Sequence, residues 1–315
     1  MSPPLARTAD AVVMVRPKDF GFNEETAADN EFQTRPAVDS EEINRRANLE
    51  FQEMVDRLRA EGVEVLLLES DPTRKVKLPD AVFPNNWFST THDGTLIIYP
   101  MMAVNRRAER RVEDLKRLLQ ESGRRVENVL YIGREDENEF FLEGTGALVI
   151  DHRTQTVYAA RSLRCHPLQL ENFVRLRSLH KAFLFDAVGS SGRPLYHTNM
   201  MMSLGEQFTV ICTESIVDPA QRRQVLESLR RSFEIIEVSR EQMEKHFCGN
   251  ILQLRDGASR PLIVMSARAE QGFTARQRQR LAEHGRIVSV NLETIETVGG
   301  GSARCMLAEV FLPRK

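Results

Sequence analysis

Near residue 300 the sequence runs Gly299-Gly300-Gly301-Ser302-Ala303-Arg304-Cys305-Met306. Three consecutive glycines leave the backbone bare and open to positive φ, so the chain can turn tightly and approach a small ligand just ahead of a cysteine. Most lone cysteines serve as small buried hydrophobes, but the triple-glycine turn marks Cys305 as the candidate nucleophile. Cysteine attacks as the thiolate and needs a lowered pKa or a nearby proton acceptor. His197 can take and return that proton. Glu143 can orient the imidazole and hold its cationic form, as a carboxylate does in triad chemistry generally.

Elements that could bring these distant residues together are visible in the hydrophobic pattern. Apolar runs at 12–15, 96–99, 156–160, 209–213 and 262–266 read as buried strands. Each is followed by a helical pattern, starting near Glu41 (capped by Asp39 or Ser40), Asn105, Pro167, Pro219 (capped by Asp218) and Thr274. The first, second and fifth helices stop at Gly62, Gly123 and Gly285. A second strand-like run follows each helix, at 63–69, 126–133, 182–188, 233–239 and 287–293. The helix starts are separated by 64, 62, 52 and 55 residues, a near-regular spacing that predicts five similar strand-helix-strand units. Asp80, Glu143, His197, Asn250 and Cys305 lie 11, 10, 9, 11 and 12 residues beyond the last strand of their units. Equivalent positions in units arranged about an axis would point at one centre. Two carboxylates, an imidazole, an amide and a thiol are a credible active site.

Composition narrows the function classes. The chain has 315 residues, 43 basic against 45 acidic, and 41% hydrophobic residues, enough for a large core. That balance gives no electrostatic case for nucleic acid or an anionic membrane. No apolar run approaches about 18 residues and the N-terminus lacks an apolar leader, so a cytoplasmic protein is expected. The four cysteines form no C-x-x-C pair and the seven histidines show no ligand spacing, so no metal, disulfide or cofactor is expected.

Four segments carry a resemblance: Asp80-Ala81-Val82-Phe83-Pro84-Asn85-Asn86-Trp87, Phe141-Leu142-Glu143-Gly144-Thr145-Gly146, Tyr196-His197-Thr198-Asn199 and the triple-glycine turn. Together they resemble the guanidine-modifying (pentein) superfamily of arginine deiminases, dimethylarginine dimethylaminohydrolases and amidinotransferases. The opening Val13-Met14-Val15-Arg16-Pro17, with Asn23-Glu24-Glu25-Thr26 and Asn30-Glu31-Phe32-Gln33, is similar to the citrulline-utilisation hydrolase branch. The resemblance covers about residues 12–312 and implies a closed five-bladed α/β propeller, here one domain spanning 1–315, acting on a small amino acid through a covalent Cys305 intermediate.

The substrate expectation rests on a departure from the family pattern. Arginine-type members carry acidic residues where this chain has Asn86 and often where it has Asn199. A cationic guanidinium between two neutral amides would lack a counter-charge, at a cost of several kcal/mol. A neutral ureido group instead meets both the donor and the acceptor of each amide. This favours L-citrulline, with an arginine deiminase-like or amidinotransferase activity, or a non-catalytic binding role, as the alternatives. Asp80 suits the substrate's α-amino group. The resemblance implies Arg106 and Arg164 for its carboxylate, with Arg107 a rival to Arg106. The run Met200-Met201-Met202 and the segment Phe247-Cys248-Gly249-Asn250 are given no catalytic role.

Overall fold

The computed structural model describes residues 5–70, 76–133 and 140–315. Among them, fifteen strands form five three-stranded sheets. In chain order these are β1 (Ala11–Val15) and β2 (Glu64–Leu68); β3 (Phe88–Thr90), β4 (Thr95–Ile98) and β5 (Asn128–Tyr131); β6 (Leu148–Asp151), β7 (Thr156–Ala160) and β8 (Lys181–Phe185). Then come β9 (Met202–Leu204), β10 (Phe208–Ile211) and β11 (Glu234–Glu237); β12 (Leu252–Arg255), β13 (Pro261–Ser266) and β14 (Arg286–Val290); and β15 (Ala308–Glu309).

Every sheet repeats one plan. The middle strand (β1, β4, β7, β10 or β13) pairs in parallel with the strand that follows it. On its other side it pairs antiparallel with an inner strand: β15, β3, β6, β9 or β12 respectively. A parallel pair requires a crossover, and a helix supplies it each time: α1 (Ser40–Ala60), α2 (Val112–Glu121), α3 (Pro167–Leu176), α4 (Pro219–Leu229) and α5 (Ala275–His284). The inner strand β15 returns to pair with β1, Val12 opposite Glu309 and Val13 opposite Ala308, so the first sheet is completed by residues near position 300.

The helices begin where side chains can satisfy their free N–H groups. Asp39 accepts from the backbone N–H of Glu41 and Glu42, and Asp218 from that of Ala220. Thr274 and Gln277 form a reciprocal capping box. Pro167 and Pro219 occupy first-turn positions where no N–H is needed. Helix α1 buries Ile43, Ala47, Phe51, Met54, Val55 and Leu58. Each large side chain on that face contributes about 1.5–3 kcal/mol.

Three expectations change. The second helix does not run unbroken from Asn105: a short turn at Val104–Arg107 ends before α2 begins at Val112. The run expected as a strand at 287–293 stops at Val290, and Glu293 begins another helix, Glu293–Gly299. Buried Glu50 of α1 accepts from the N–H groups of Thr294 and Ile295, fixing that helix start to the core. The five inner strands are not predicted from the sequence, and the site residues stand in the segments just ahead of them. No helix among the described residues is long and apolar enough to cross a membrane.

Candidate active site

Each unit delivers its polar group from the segment just before its inner strand. Asn86 ends the turn Pro84–Asn86 ahead of β3. Glu143 precedes the turn Gly144–Ala147 that runs into β6. His197 immediately precedes the turn Thr198–Met200 ahead of β9, Asn250 lies just before β12, and Cys305 sits in the turn Ala303–Met306 ahead of β15. Glycine is required where these turns meet. A Cβ at Gly144, whose φ is +44°, would stand 2.3 Å from the Asn85 carbonyl oxygen. One at Gly146 would stand 2.5 Å from Asn86 Nδ2 and 2.7 Å from His197 Nδ1. Gly300, at φ +65°, ends the helix before the cysteine turn in the left-handed conformation.

The groups converge. Glu143 Oε2 lies 2.9 Å from His197 Nε2, and Glu143 Oε1 accepts from the Met102 backbone N–H at 3.1 Å. Cys305 Sγ receives Asn250 Nδ2 at 3.2 Å and Asn199 Nδ2 at 3.4 Å. Asn250 Nδ2 also reaches the Asn199 carbonyl at 3.0 Å. Cys305, His197 and Glu143 are 3%, 2% and 0% exposed, so the cluster is shielded from water.

Electrostatics assign resting states. Burial works against charge on Glu143, but Arg164, His197 and Arg106 outweigh it and hold the carboxyl at about 2. Burial, with the fields of Arg164 and Arg106, pushes His197 below the ordinary imidazole value despite Glu143. The pair is therefore carboxylate and neutral imidazole, with Nε2–H donated to Glu143 and Nδ1 left as the basic nitrogen. Burial pushes the Cys305 thiol up, against the Ser302 backbone, Asn250, Arg304 and Asn199, so the sulfur rests as the thiol.

Around this core lie the remaining candidates. Asp80 Oδ2 accepts from Asn23 Nδ2 at 2.7 Å and Thr26 Oγ1 at 3.0 Å. Asp80 Oδ1, Asn199 Oδ1 and Asn250 Oδ1 are buried acceptors with no partner among the described residues. Arg106 is a bidentate partner of Glu109, both bonds 2.9 Å, and donates to Asn86 Oδ1 at 2.8 Å and the Phe83 carbonyl at 3.2 Å. Arg164 binds both oxygens of Asp29, donates to the Thr26 carbonyl at 3.2 Å and stands 3.6 Å from Glu143. Its guanidinium lies over the Tyr196 ring, 4.9 Å from the centroid. Arg107 stands apart, donating to the Met101 and Met102 carbonyls. Asn23, Thr26 and Asp29 belong to the segment after β1, which also reaches the cysteine turn through Asn30 Nδ2 to the Gly299 carbonyl. This segment thus ties Asp80, Arg164 and the glycine turn together.

Sequence reasoning missed the partners of the two arginines. The Arg106/Glu109 spacing of i, i+3 on a helical turn was a usable signal; nothing local links Asp29 to Arg164. Asn250 was read as the fourth unit's centre-facing amide, but its contact with the sulfur is visible only in three dimensions.

Comparison with known proteins fits this architecture. The family described as N,N dimethylarginine dimethylhydrolase, eukaryotic, matches residues 16–312. The chain belongs to that family. It is thereby a pentein, with arginine deiminase and dimethylarginine dimethylaminohydrolase relatives, and its relatives are hydrolases of C–N bonds. The N-terminal domain of ArgZ, an arginine dihydrolase of cyanobacteria, solved with a covalently bound reaction intermediate, superposes with a TM-score of 0.73 at 15% identity, over 96% of this chain and 99% of that one. AgrE, solved as a cysteine variant with L-arginine, gives 0.72 at 15% identity over 97% of this pentein but only 40% of its own longer chain. A dimethylarginine dimethylaminohydrolase adduct with S-methyl-L-thiocitrulline gives 0.65 at 16% identity, over 96% and 100%. Among curated protein sequences, none matches.

Proposed function

We propose that the protein is a cysteine-dependent hydrolase of a ureido or guanidino amino acid, with L-citrulline as its substrate, and that its five units form a single closed five-bladed propeller around the cluster. The observation that carries this reading is the pair of amides at the sulfur: Asn250 and Asn199 each donate to Cys305 Sγ while their side-chain Oδ1 atoms are buried with no partner among the described residues. Unpaired buried acceptors beside a nucleophile call for a ligand rich in N–H groups, and the amides bring no charge that would select a cation.

The Cys305 thiol gives its proton to His197 Nδ1, whose other nitrogen is held by Glu143, and the sulfur adds to the ureido carbon. Charge that develops on the ureido oxygen meets an amide donor; Asn86 and Asn199 are the candidates, and one such preorganised donor is worth about 3–4 kcal/mol of barrier. His197 returns the proton to the departing nitrogen, and water cleaves the covalent intermediate. Overall, citrulline and one water give ornithine, ammonia and carbon dioxide. Asp80, through its unpartnered Oδ1, takes the substrate's α-amino group. Arg164 takes the α-carboxylate in exchange for Asp29, while Arg106 holds Asn86 in place. Four unbridged thiols suit the cytoplasm.

A second reading, hydrolysis of arginine or a methylated arginine, is favoured by the family match and by the protonated resting thiol, which an adjacent guanidinium would help to ionise. Incubating the protein separately with citrulline, arginine, dimethylarginine and agmatine, and measuring ammonia, ornithine and citrulline, tests both. Ornithine and ammonia from citrulline support the primary reading; citrulline released from an arginine, with citrulline itself inert, overturns it.

A further inference from the structure

The catalytic groups all precede the inner strands. At the opposite ends of three of these strands lies a separate cavity of 360 Å³ with no catalytic group in its wall. β3 runs out into His92, β6 into His152, and β15 ends at Glu309 ahead of Phe311. These side chains meet: the Phe311 ring is 4.7 Å from that of His92 and 4.4 Å from that of His152, centroid to centroid. Phe173 and Ile150 add apolar surface. One side of the wall is therefore a cluster of aromatic rings, in a volume suited to a small ring.

Its polar groups include several acceptors without a partner. Glu309 uses Oε2 on Arg304 at 2.8 Å, and no bond is made to Oε1 among the described residues. His92 Nε2 lies 3.0 Å from the Ala6 carbonyl, so it must be the protonated nitrogen, leaving Nδ1 an acceptor. Burial pushes His152 down to about 3, leaving a neutral ring with one acceptor nitrogen and one N–H donor. Several donors in the wall are already engaged: Ser89 Oγ is paired with Tyr99 at 2.7 Å, Thr90 Oγ1 donates to the Glu309 carbonyl at 2.9 Å, and Gln155 Nε2 donates to the His152 carbonyl at 2.6 Å. The charges are paired as well, Glu309 with Arg304 and Asp93 with Arg177 at 2.8 Å. A ligand that completes such a wall is flat, supplies N–H donors together with a ring acceptor for the His152 N–H, and carries no net charge.

We propose that this cavity is a second binding site, for a neutral planar heteroaromatic ring bearing N–H groups, of nucleobase size, which the protein can hold while its catalytic site is occupied. The test is calorimetric titration of the intact Cys305→Ser protein with adenine as probe, and with benzoate and benzamidinium as anionic and cationic rings of similar size. Expected are saturable adenine binding with Kd below about 1 mM, at least tenfold weaker binding of both ionic rings, and an unchanged adenine Kd in saturating citrulline. Ile150→Trp, which fills the cavity, should weaken adenine at least tenfold while circular dichroism stays native; Leu179→Trp fills it from another wall should the first variant misfold. No saturable adenine binding, an ionic ring that binds as tightly, competition with citrulline, or full binding in a folded cavity-filled variant would each overturn the proposal.

Discussion

Replacing Asn250 with leucine tests whether the amide donors set the reactivity of the sulfur. The two side chains are similar in size, but leucine removes the 3.2 Å donor to Cys305 Sγ and leaves Asn199 Nδ2, at 3.4 Å, as the one amide on the sulfur. A hydrogen bond to a charged group is worth about 1.5–3 kcal/mol. One pKa unit is about 1.4 kcal/mol, so the thiol should rise by about 1–2 units. Burial already pushes the thiol up, so at neutral pH the thiolate fraction, and kcat/KM with it, should fall about 10–150-fold. The assay is the pH dependence of inactivation by iodoacetamide, run beside steady-state kinetics. The midpoint of alkylation should move to higher pH by the same interval that turnover loses. A folded Asn250→Leu protein whose alkylation midpoint is unmoved would show that Asn250 does not stabilise the thiolate.

Other consequences can be measured directly. Combining Asn86→Asp with Asn199→Asp should lower kcat/KM for citrulline and tighten the dissociation constant for arginine, because carboxylates cannot donate to the ureido oxygen but can pair a guanidinium; parallel loss of both ligands in a folded protein would sink the ureido selection. Gly146→Ala should cut kcat more than it changes KM, since its methyl group would press on Asn86 Nδ2 and His197 Nδ1, and wild-type turnover would mean that neither position matters to the chemistry. Burial lowers His92, His152 and His197 below the ordinary imidazole value. These rings therefore favour unfolding as pH drops below about 6.5, His152 by about 1–2 kcal/mol between pH 7 and pH 5, whereas Glu109, which burial pushes up to about 7, works in the opposite direction. A His152→Phe variant should therefore lose less stability than the native protein between pH 7 and pH 5, and urea midpoints that shift equally in the two proteins would contradict this.

The sequence made the crossover helices readable because their ends are chemically marked. Asp39, Asp218 and Thr274 cap backbone N–H groups, and Pro167 and Pro219 sit in first turns. The inner strands carry no comparable mark. Phe88–Thr90 is buried throughout and three residues long, so it shows neither alternation nor a full apolar run. The repeat spacing nevertheless located Glu143, His197, Asn250 and Cys305, since each stands just before such a strand. Pairings between units were beyond its reach: Asp29 meets Arg164, and Glu50 meets the helix at Glu293, through contacts that no local pattern encodes.

The return of β15 to β1 bears on the order in which this molecule matures. Val12 pairs with Glu309 across nearly the whole chain, the other four sheets being built from the residues between them, and pairings so distant in sequence are slow to close. Cys305 lies in the turn leading into that strand. A folding intermediate can thus assemble His197 on Glu143, and Arg164 beside them, while still lacking its sulfur. Reactivity should switch on in a single late step, and refolding followed by turnover should lag behind refolding followed by circular dichroism.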